Sequence, residues 1–449
     1  MNETSGKKIK EQIFALIEDY HKEVFLNQPK SPNIPVSGKV FDHREMQNIT
    51  EAALDGWFTT GRFNKEFENK LKEYIGIKHL ITVNSGSSAN LVAMMTIASP
   101  ELGDRAIKLG DEFITVAASF PTTLNPLLAL GAIPVFIDVD IPSYNIDASQ
   151  IEAAITDKTK AIVIAHTLGN PYELKKIREL CDKHELWLIE DCCDALGSTY
   201  NGKHVGTFGD IATLSFYPAH HITMGEGGAV FTNNTILKKI AESIRDWGRD
   251  CWCPTGKDNT CHKRFEWEMA GLPKGYDHKY IYSRLGYNLK VTDMQAALGL
   301  AQLEKLDSFI ERRKHNFNRL KEGLKGLEDS LILPEASENS DPSWFGFLVS
   351  LRHKDYPQLK KGEIEVTLEN GLNRNTLCKK LNEEGINTRL LFAGDVRKQP
   401  YFKDYTYKAH TDLLNTEYVL YNTFWLGVAP LIDDDDIDRI IETLKRYLN

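Results

Sequence analysis

No run of 18 consecutive apolar residues occurs in this sequence, so no membrane-spanning helix is expected. The first 25 residues, Met1 to Phe25, are polar and then amphipathic. They lack the charged start, apolar run and small-residue cleavage site of a secretory leader. Positive charge is short as well: 54 Lys and Arg against 63 Asp and Glu give a net charge of −9. That balance argues against general binding to nucleic acid or membrane surfaces, and an anionic ligand then needs a local cluster of basic groups. There are only seven cysteines, an odd number. Without an export signal they point to thiols or metal ligands in a reducing cytoplasm, not to a disulfide framework. Internal repeats and low-complexity tracts are also missing. One absence is local: no lysine stands between Lys203 and Lys238.

The 449 residues suit two packed domains. Residues 7–26 read as an amphipathic helix, and a Pro-rich stretch, Gln28 to Pro35, separates it from the body. Short apolar strands are expected at 112–116, 133–138, 160–166, 186–191, 212–217 and 228–232, with helical patterns at 149–155 and 172–184 among them. This alternation predicts an α/β fold with a mostly parallel sheet buried on both faces. Residues 248–282, rich in Cys, Gly, Pro and Trp, break the rhythm as an irregular excursion, and 292–327 resume as long helix. The division expected is an N-terminal helix and arm (1–50), a large domain (51–310) and a smaller α/β C-terminal domain (311–449). The acidic run Asp433–Asp436 reads as a solvated helix start.

Three separated segments suggest one ligand. Ser85-Gly86-Ser87-Ser88-Ala89-Asn90 follows an apolar stretch and opens a helix, a natural phosphate site, although Gly-Ser turns are common without one. Leu188-Ile189-Glu190-Asp191 ends a buried strand, where α/β sheets bind ligands. Asp191 there can keep a pyridinium nitrogen protonated; an ordinary strand-end acid is the plainer reading. Ser215 to Gly228 spell SF-x3-H-x4-GEGG. Taken in this order, the segments resemble the fold type I pyridoxal phosphate (PLP) sugar aminotransferase and dehydratase family over about residues 55–315. In that pattern the histidine position, His220, belongs to the lysine that forms the Schiff base. The resemblance implies that Gly86, Ser87, Ser88 and Ser215 bind the cofactor's phosphate and that Phe120 lies flat against its ring. It also implies that Asn288, in Gly286-Tyr287-Asn288, reaches the active site of a neighbouring subunit, hence a homodimer. Asp194 stands where the transaminases often carry His or Gln, and Tyr217 precedes His220 by three residues. Both fit a site rebuilt around a different base.

The substitution changes the chemistry. A PLP lysine anchors the aldehyde and also shuttles the proton at the C4′ carbon. Histidine can do only the second, with a pKa suited to work near neutrality. The cofactor is then held non-covalently, as PLP or as pyridoxamine phosphate (PMP). PMP can condense with a keto-sugar, and proton loss to His220 can expel a neighbouring hydroxyl. His221 competes for this role, but the spacings to Ser215 and Gly225 select His220.

Cys251-Trp252-Cys253 and Cys261 form C-x-C-x7-C inside the excursion, and Cys192-Cys193 lie beside Asp191. The cysteines alone leave a [2Fe–2S] cluster, zinc and plain thiols open. Dehydration leaves an unsaturated product that needs two electrons, which favours the one-electron relay of a [2Fe–2S] cluster. Strand residues i and i+2 share a face ~6–7 Å apart, which places Cys193, not Cys192, on the side of Asp191. Histidine for lysine together with Cys193, Cys251, Cys253 and Cys261 resembles the PMP- and [2Fe–2S]-dependent 3-dehydrase branch of that family. This closer resemblance implies a CDP-linked 4-keto-6-deoxyhexose substrate and a flavin/iron–sulfur, NADH-dependent reductase as partner. It also implies a place in 3,6-dideoxyhexose and O-antigen biosynthesis. Two rivals stay open: an iron-free dehydratase that uses glutamate as amine donor on a GDP sugar, and a non-catalytic cofactor-binding electron carrier. Lys279, Arg284, Lys290, Arg389 and Arg397 are candidate cations for the diphosphate. Residues 343–347 and 388–394 are candidate linings of the sugar pocket. Cys181 and Cys378 read as ordinary helix-face residues.

Overall fold

The central strands are buried on both faces, which is why they read in the sequence as nearly unbroken apolar runs. The computed structural model describes residues 3–253, 256–269 and 271–448. It places eight strands in one sheet. Their order is His79–Val83, Gly228–Thr232, Ile211–Ser215, Trp187–Asp191, Thr159–Ala165, Glu112–Val116, Ile133–Ile137 and Lys408–Ala409. From Ile211–Ser215 to Lys408–Ala409 every neighbouring pair is parallel. Gly228–Thr232 runs antiparallel to both of its neighbours. The fold is thus α/β with a large, mostly parallel sheet, as expected. The strand His79–Val83 at one edge was not among the expected strands, and neither was Lys408–Ala409 at the other.

Helices cover the sheet. Gly86–Ile97 follows the edge strand, and Leu174–Lys183 matches the expected 172–184. The pattern at 149–155 yields a single turn, Ile151–Ala154. The N-terminal helix runs Glu3–His21 and continues as a π turn, Lys22–Leu26. The expected long helix is two helices, Asp293–Leu303 and Leu306–Gly323. The first begins at a capping box between Thr292 and Gln295. No Pro or Gly makes the break between them; polar contacts hold it instead. Gln302 donates to the Val40 carbonyl at 2.8 Å and to the Glu45 carboxylate at 2.6 Å. Lys305 pairs with Glu45 at 2.5 Å and with Asp42 at 3.1 Å.

A second sheet is antiparallel, with Gly346–Leu351 between Leu331–Ile332 and Thr423–Gly427. It belongs to the C-terminal part of the chain, which also contributes the edge strand Lys408–Ala409 to the large sheet. The helix Asp434–Leu448 carries Asp434, Asp435 and Asp436 in its first turn, yet the acidic run is more than solvated charge. Asp436 is buried, and Lys30 of the N-terminal arm pairs with Asp433 at 2.6 Å and with Asp436 at 2.9 Å. Among the described residues the excursion 248–282 holds one short helical turn, His278–Tyr280, and a single bridge between Arg249 and Tyr282. No described helix is long and apolar enough to cross a membrane.

Candidate functional site

Strand ends and helix starts converge at the carboxyl edge of the sheet. Ser85 caps the helix Gly86–Ile97 by accepting the Ser88 N–H at 3.0 Å. At the first helical position only glycine fits: a Cβ on Gly86 would stand 2.4 Å from Ser215 Cβ and 3.2 Å from Cys193 Sγ. The expected phosphate residues Gly86 and Ser215 therefore touch, and Cys193 lies against both. Ser87 faces Thr122, its hydroxyl donating at 3.3 Å.

Asp191, 4 % exposed, ends the strand Trp187–Asp191. One carboxylate oxygen accepts from Asn90 Nδ2 at 2.8 Å and Thr123 Oγ1 at 2.7 Å, and the other accepts the Cys193 N–H at 3.1 Å. Asn90 is itself oriented by Thr213, which donates to its Oδ1 at 2.7 Å. The carboxylate is fixed in direction before any ligand arrives. Asn90 and Thr123 were not singled out from the sequence as its partners. Phe120 leaves half its ring exposed, with Phe392 edge-on at 6.3 Å.

The segment from Phe216 to Gly227 connects two antiparallel strands and is pinned from below. Phe216 is fully buried, edge-on to Phe67 at 5.3 Å, and its backbone pairs with Gly227 and Met224. The Tyr217 carbonyl accepts the His220 N–H at 2.9 Å across Pro218 and Ala219. Pro at the second position presets such a turn. The turn presents two side chains: Tyr217, half exposed, and His220, part-buried. His220 Nδ1 lies 3.2 Å from Asp194 Oδ1, out of line for a hydrogen bond. The imidazole packs on Phe345, with centroids 5.2 Å apart. His221 turns the other way. It is 2 % exposed, and its Nε2 meets the Ser343 carbonyl at 2.8 Å. Burial, with Arg313 nearby, pushes its pKa well below the usual histidine value. A neutral Nε2–H donor follows, so His221 has a structural partner and His220 faces the site.

The thiols are less gathered. Cys193 adjoins Gly86 and Ser215, while Cys192 is buried at the opposite side against the Glu190 carbonyl. Thr260 donates to Cys253 at 3.2 Å. Cys261 lies 3.3 Å from His278 Nε2. Among the described residues, no three of Cys193, Cys251, Cys253 and Cys261 bring their sulfurs within 4.8 Å of one another. Four thiols are the donor type of an iron–sulfur centre, but they are not gathered into one here. Cys193 is pushed well above the usual thiol pKa by burial and the adjacent Asp191. Burial raises Cys253, but contacts with Thr260, Cys251 and Cys261 together lower the thiol overall. Cys181 and Cys378 lie on the helices Leu174–Lys183 and Arg374–Glu383.

Four of the five candidate cations already have a carboxylate: Lys279 with Asp258, Arg284 with Asp250 and Glu101, Lys290 with Asp246, and Arg397 with Asp395. Arg389 has none among the described residues, and its backbone bridges Trp425, which packs on Phe345 at 5.4 Å. Asn288 is exposed, its backbone bridged to Asp246. Among the described residues its side chain makes no hydrogen bond to the groups around Asp191. Sequence reasoning missed Arg313, a fully buried guanidinium that donates to the His220 carbonyl at 3.4 Å.

A model of the DegT/DnrJ/EryC1/StrS aminotransferase family matches residues 40–445. The chain is 55% identical over 446 residues to the lipopolysaccharide biosynthesis protein RfbH of Salmonella typhimurium, covering 99% of each. It is 45% identical over 441 residues to the dTDP-4-dehydro-2,6-dideoxy-D-glucose 3-dehydratase of Saccharopolyspora spinosa, covering 98% of this chain and 92% of that protein. A solved structure of the E. coli GDP-4-keto-6-deoxy-D-mannose-3-dehydratase with bound hydrated PLP is similar at a TM-score of 0.80 and 29% identity. That match covers 92% of this chain and 99% of the other.

Proposed function

The chain belongs to the DegT/DnrJ/EryC1/StrS aminotransferase family, and from that premise we propose that it is a PMP-dependent sugar-nucleotide 3-dehydrase. Its substrate is a nucleotide-linked 4-keto-6-deoxyhexose, CDP-4-dehydro-6-deoxyglucose by the resemblance of its motifs, and it acts in deoxysugar biosynthesis. The sugar's C3 hydroxyl leaves as water while two electrons and two protons enter, so that C3 becomes a methylene beside the C4 ketone. The family consists of PLP-dependent sugar-nucleotide dehydratases and aminotransferases. The observation that carries the dehydrase reading is His220 at the lysine position, between Asp194 and Phe345.

The residues fit the cofactor. The start of the helix Gly86–Ile97, with Ser87, Ser88 and Ser215, takes the phosphate. Asp191 would pair with the ring nitrogen and Phe120 would lie against the ring. Bound there, PMP supplies an amine that condenses with the ketone and a ring that accepts electrons. His220 would move the proton at C4′, with Asp194 as counter-ion to the charged imidazole, while Tyr217 and Phe345 flank it and limit water. Cys193, Cys251, Cys253 and Cys261 would hold a [2Fe–2S] cluster, which would supply one-electron transfer from a flavin/iron–sulfur, NADH-dependent reductase. Support for that cluster is the thiol pattern and the placement of Cys193 against Gly86 and Ser215. The enzyme works in the cytoplasm as a homodimer, with Asn288 contributed to the neighbouring site.

A visible spectrum with iron and sulfide analysis, taken before and after adding PMP, tests the reading. A red-brown protein containing iron and sulfide is expected. A colourless, zinc-containing protein removes the relay, and a colourless, metal-free protein that dehydrates a GDP sugar with glutamate establishes the iron-free alternative.

A further inference from the structure

Arg313 is a guanidinium buried without a carboxylate in hydrogen-bond contact. It sits on the helix Leu306–Gly323 and is 0% exposed. A lone buried cation is costly unless its donors are used. Nη1 donates to the carbonyls of Trp344 and Phe345, each at 3.3 Å, and Nη2 to that of His220 at 3.4 Å, while Nε finds no partner among the described residues. The guanidinium carbon lies 5.7 Å from the Phe345 ring centroid. Its charge is balanced at longer range by Asp194, the carboxylate that meets His220 Nδ1; burial and that carboxylate together leave its pKa at about 10, still charged near neutrality.

Phe317, one turn further along the same helix, stacks on Trp344 with centroids 3.7 Å apart and planes within 2°. One helix face therefore grips the segment 344–345 by its ring and its carbonyls, and the same guanidinium reaches across to the turn that carries His220. The two halves of the His220 environment come from different sheets. The turn follows the strand Ile211–Ser215 of the large sheet, and Phe345 precedes the strand Gly346–Leu351 of the small one. Arg313 bonds to both, beside the His221–Ser343 contact that also joins the turn to this segment. The other titratable groups near His220 are Asp194, Tyr217 and His221.

We infer that Arg313 is the positioning residue of this site: it locks the His220 turn to the Trp344–Phe345 segment, so that the imidazole stays between Asp194 and Phe345. The inference rests on the reading of His220 as the base, and it predicts two separable consequences. Loss of the lock lets the ring move, and a misplacement of about 1 Å in a positioned site costs on the order of 10²-fold in rate. Arg313 is fully buried and out of reach of a bound substrate, so KM should hold.

The test uses the PMP-loaded, iron-containing enzyme with Arg313→Gln and Arg313→Lys. One readout is turnover of the nucleotide-linked 4-keto-6-deoxyhexose. The other is the position of the His220 ring-proton NMR signals, assigned with His220→Asn and sensitive to the ring current of Phe345. Expected are a fall in kcat on the order of 10²-fold for Arg313→Gln with KM within about twofold, partial rescue by Arg313→Lys, and ring signals displaced in both variants. A lowered Tm with kcat and ring signals unchanged makes Arg313 merely structural and overturns the inference. If Arg313→Gln does not fold, Arg313→Lys decides, since it keeps a buried cation but not the three-way fork. If the wild-type enzyme does not turn the sugar over, the dehydrase reading fails by itself, and the ring signals still judge Arg313.

Discussion

The pocket around Asp191 and the excursion at 248–282 supply groups to one proposed reaction, yet they are built in opposite ways. In the pocket each group is fixed by the end of a regular element. Asp191 accepts three hydrogen bonds at a strand end, Gly86 is pressed against Ser215 at a helix start, and His220 is set by a proline-containing turn. In the excursion the thiols hang on one short helical turn and local contacts such as Arg264–Asp277 at 2.7 Å and Trp267–His278 at 4.3 Å. The first region is organised before its ligand arrives. The second carries thiols that are not gathered into one site among the described residues, the arrangement a metal centre would have if binding and ordering were one event. Preorganisation serves the proton step, which depends on small distances, whereas a metal centre can draw its ligands in.

Breaking the organised side at its base has the largest effect. His220→Asn should lower dehydration by about 10²–10⁴-fold, the usual worth of a general base, and still bind PMP; unchanged dehydration would remove His220 from that role. On the other side, Cys253→Ala should bleach the visible absorption and end reductive turnover while PMP affinity stays at the wild-type value. If affinity falls in parallel with the colour, the two regions are one cooperative unit and the contrast is wrong. A finer probe is Thr123→Val, which takes one hydrogen bond from the Asp191 carboxylate. It should cost about 2 kcal/mol of stability by urea denaturation, and a neutral result would mean that Asn90 alone fixes the carboxylate.

The smallest effect separates the neighbouring histidines. His221 has its folded pKa depressed by burial, so the unfolded chain binds a proton more readily. Its contribution to stability is present above the unfolded value of about 6.5 and is lost as pH falls below it, by up to about 1.4 kcal/mol per pH unit. His221→Asn should flatten the acid side of the stability profile by that slope, and a profile identical to wild type would show that His221 is not buried neutral.

Much of the large sheet was legible because buried parallel strands announce themselves as apolar runs bounded by turns. The expected 112–116 and 228–232 coincide with observed strands, and the others fall within two residues. Edges were not legible. Lys408–Ala409 has two residues and no apolar run, and it pairs only because the chain returns there. The break between Leu303 and Leu306 was hidden because its cause is tertiary, the grip of Glu45 on Gln302 and Lys305. In the site, His220 and Asp191 showed through because a fixed spacing carried them. Arg313 did not, since an arginine in the charged run Glu311 to His315 reads as surface until Trp344 and Phe345 fold over it.

The edge strand Lys408–Ala409 bears on how the protein avoids its own copies. Ile133–Ile137 is an apolar strand that would otherwise end the sheet with open backbone groups, a template for sheet-to-sheet association. Two residues from near the other end of the chain shield it, and Lys408, paired with Glu112 at 2.6 Å, sets a cation at the new rim. The shield arrives last during synthesis, some 270 residues after the strand it protects, so a nascent or clipped chain ending before it would carry a sticky flank that the finished protein conceals.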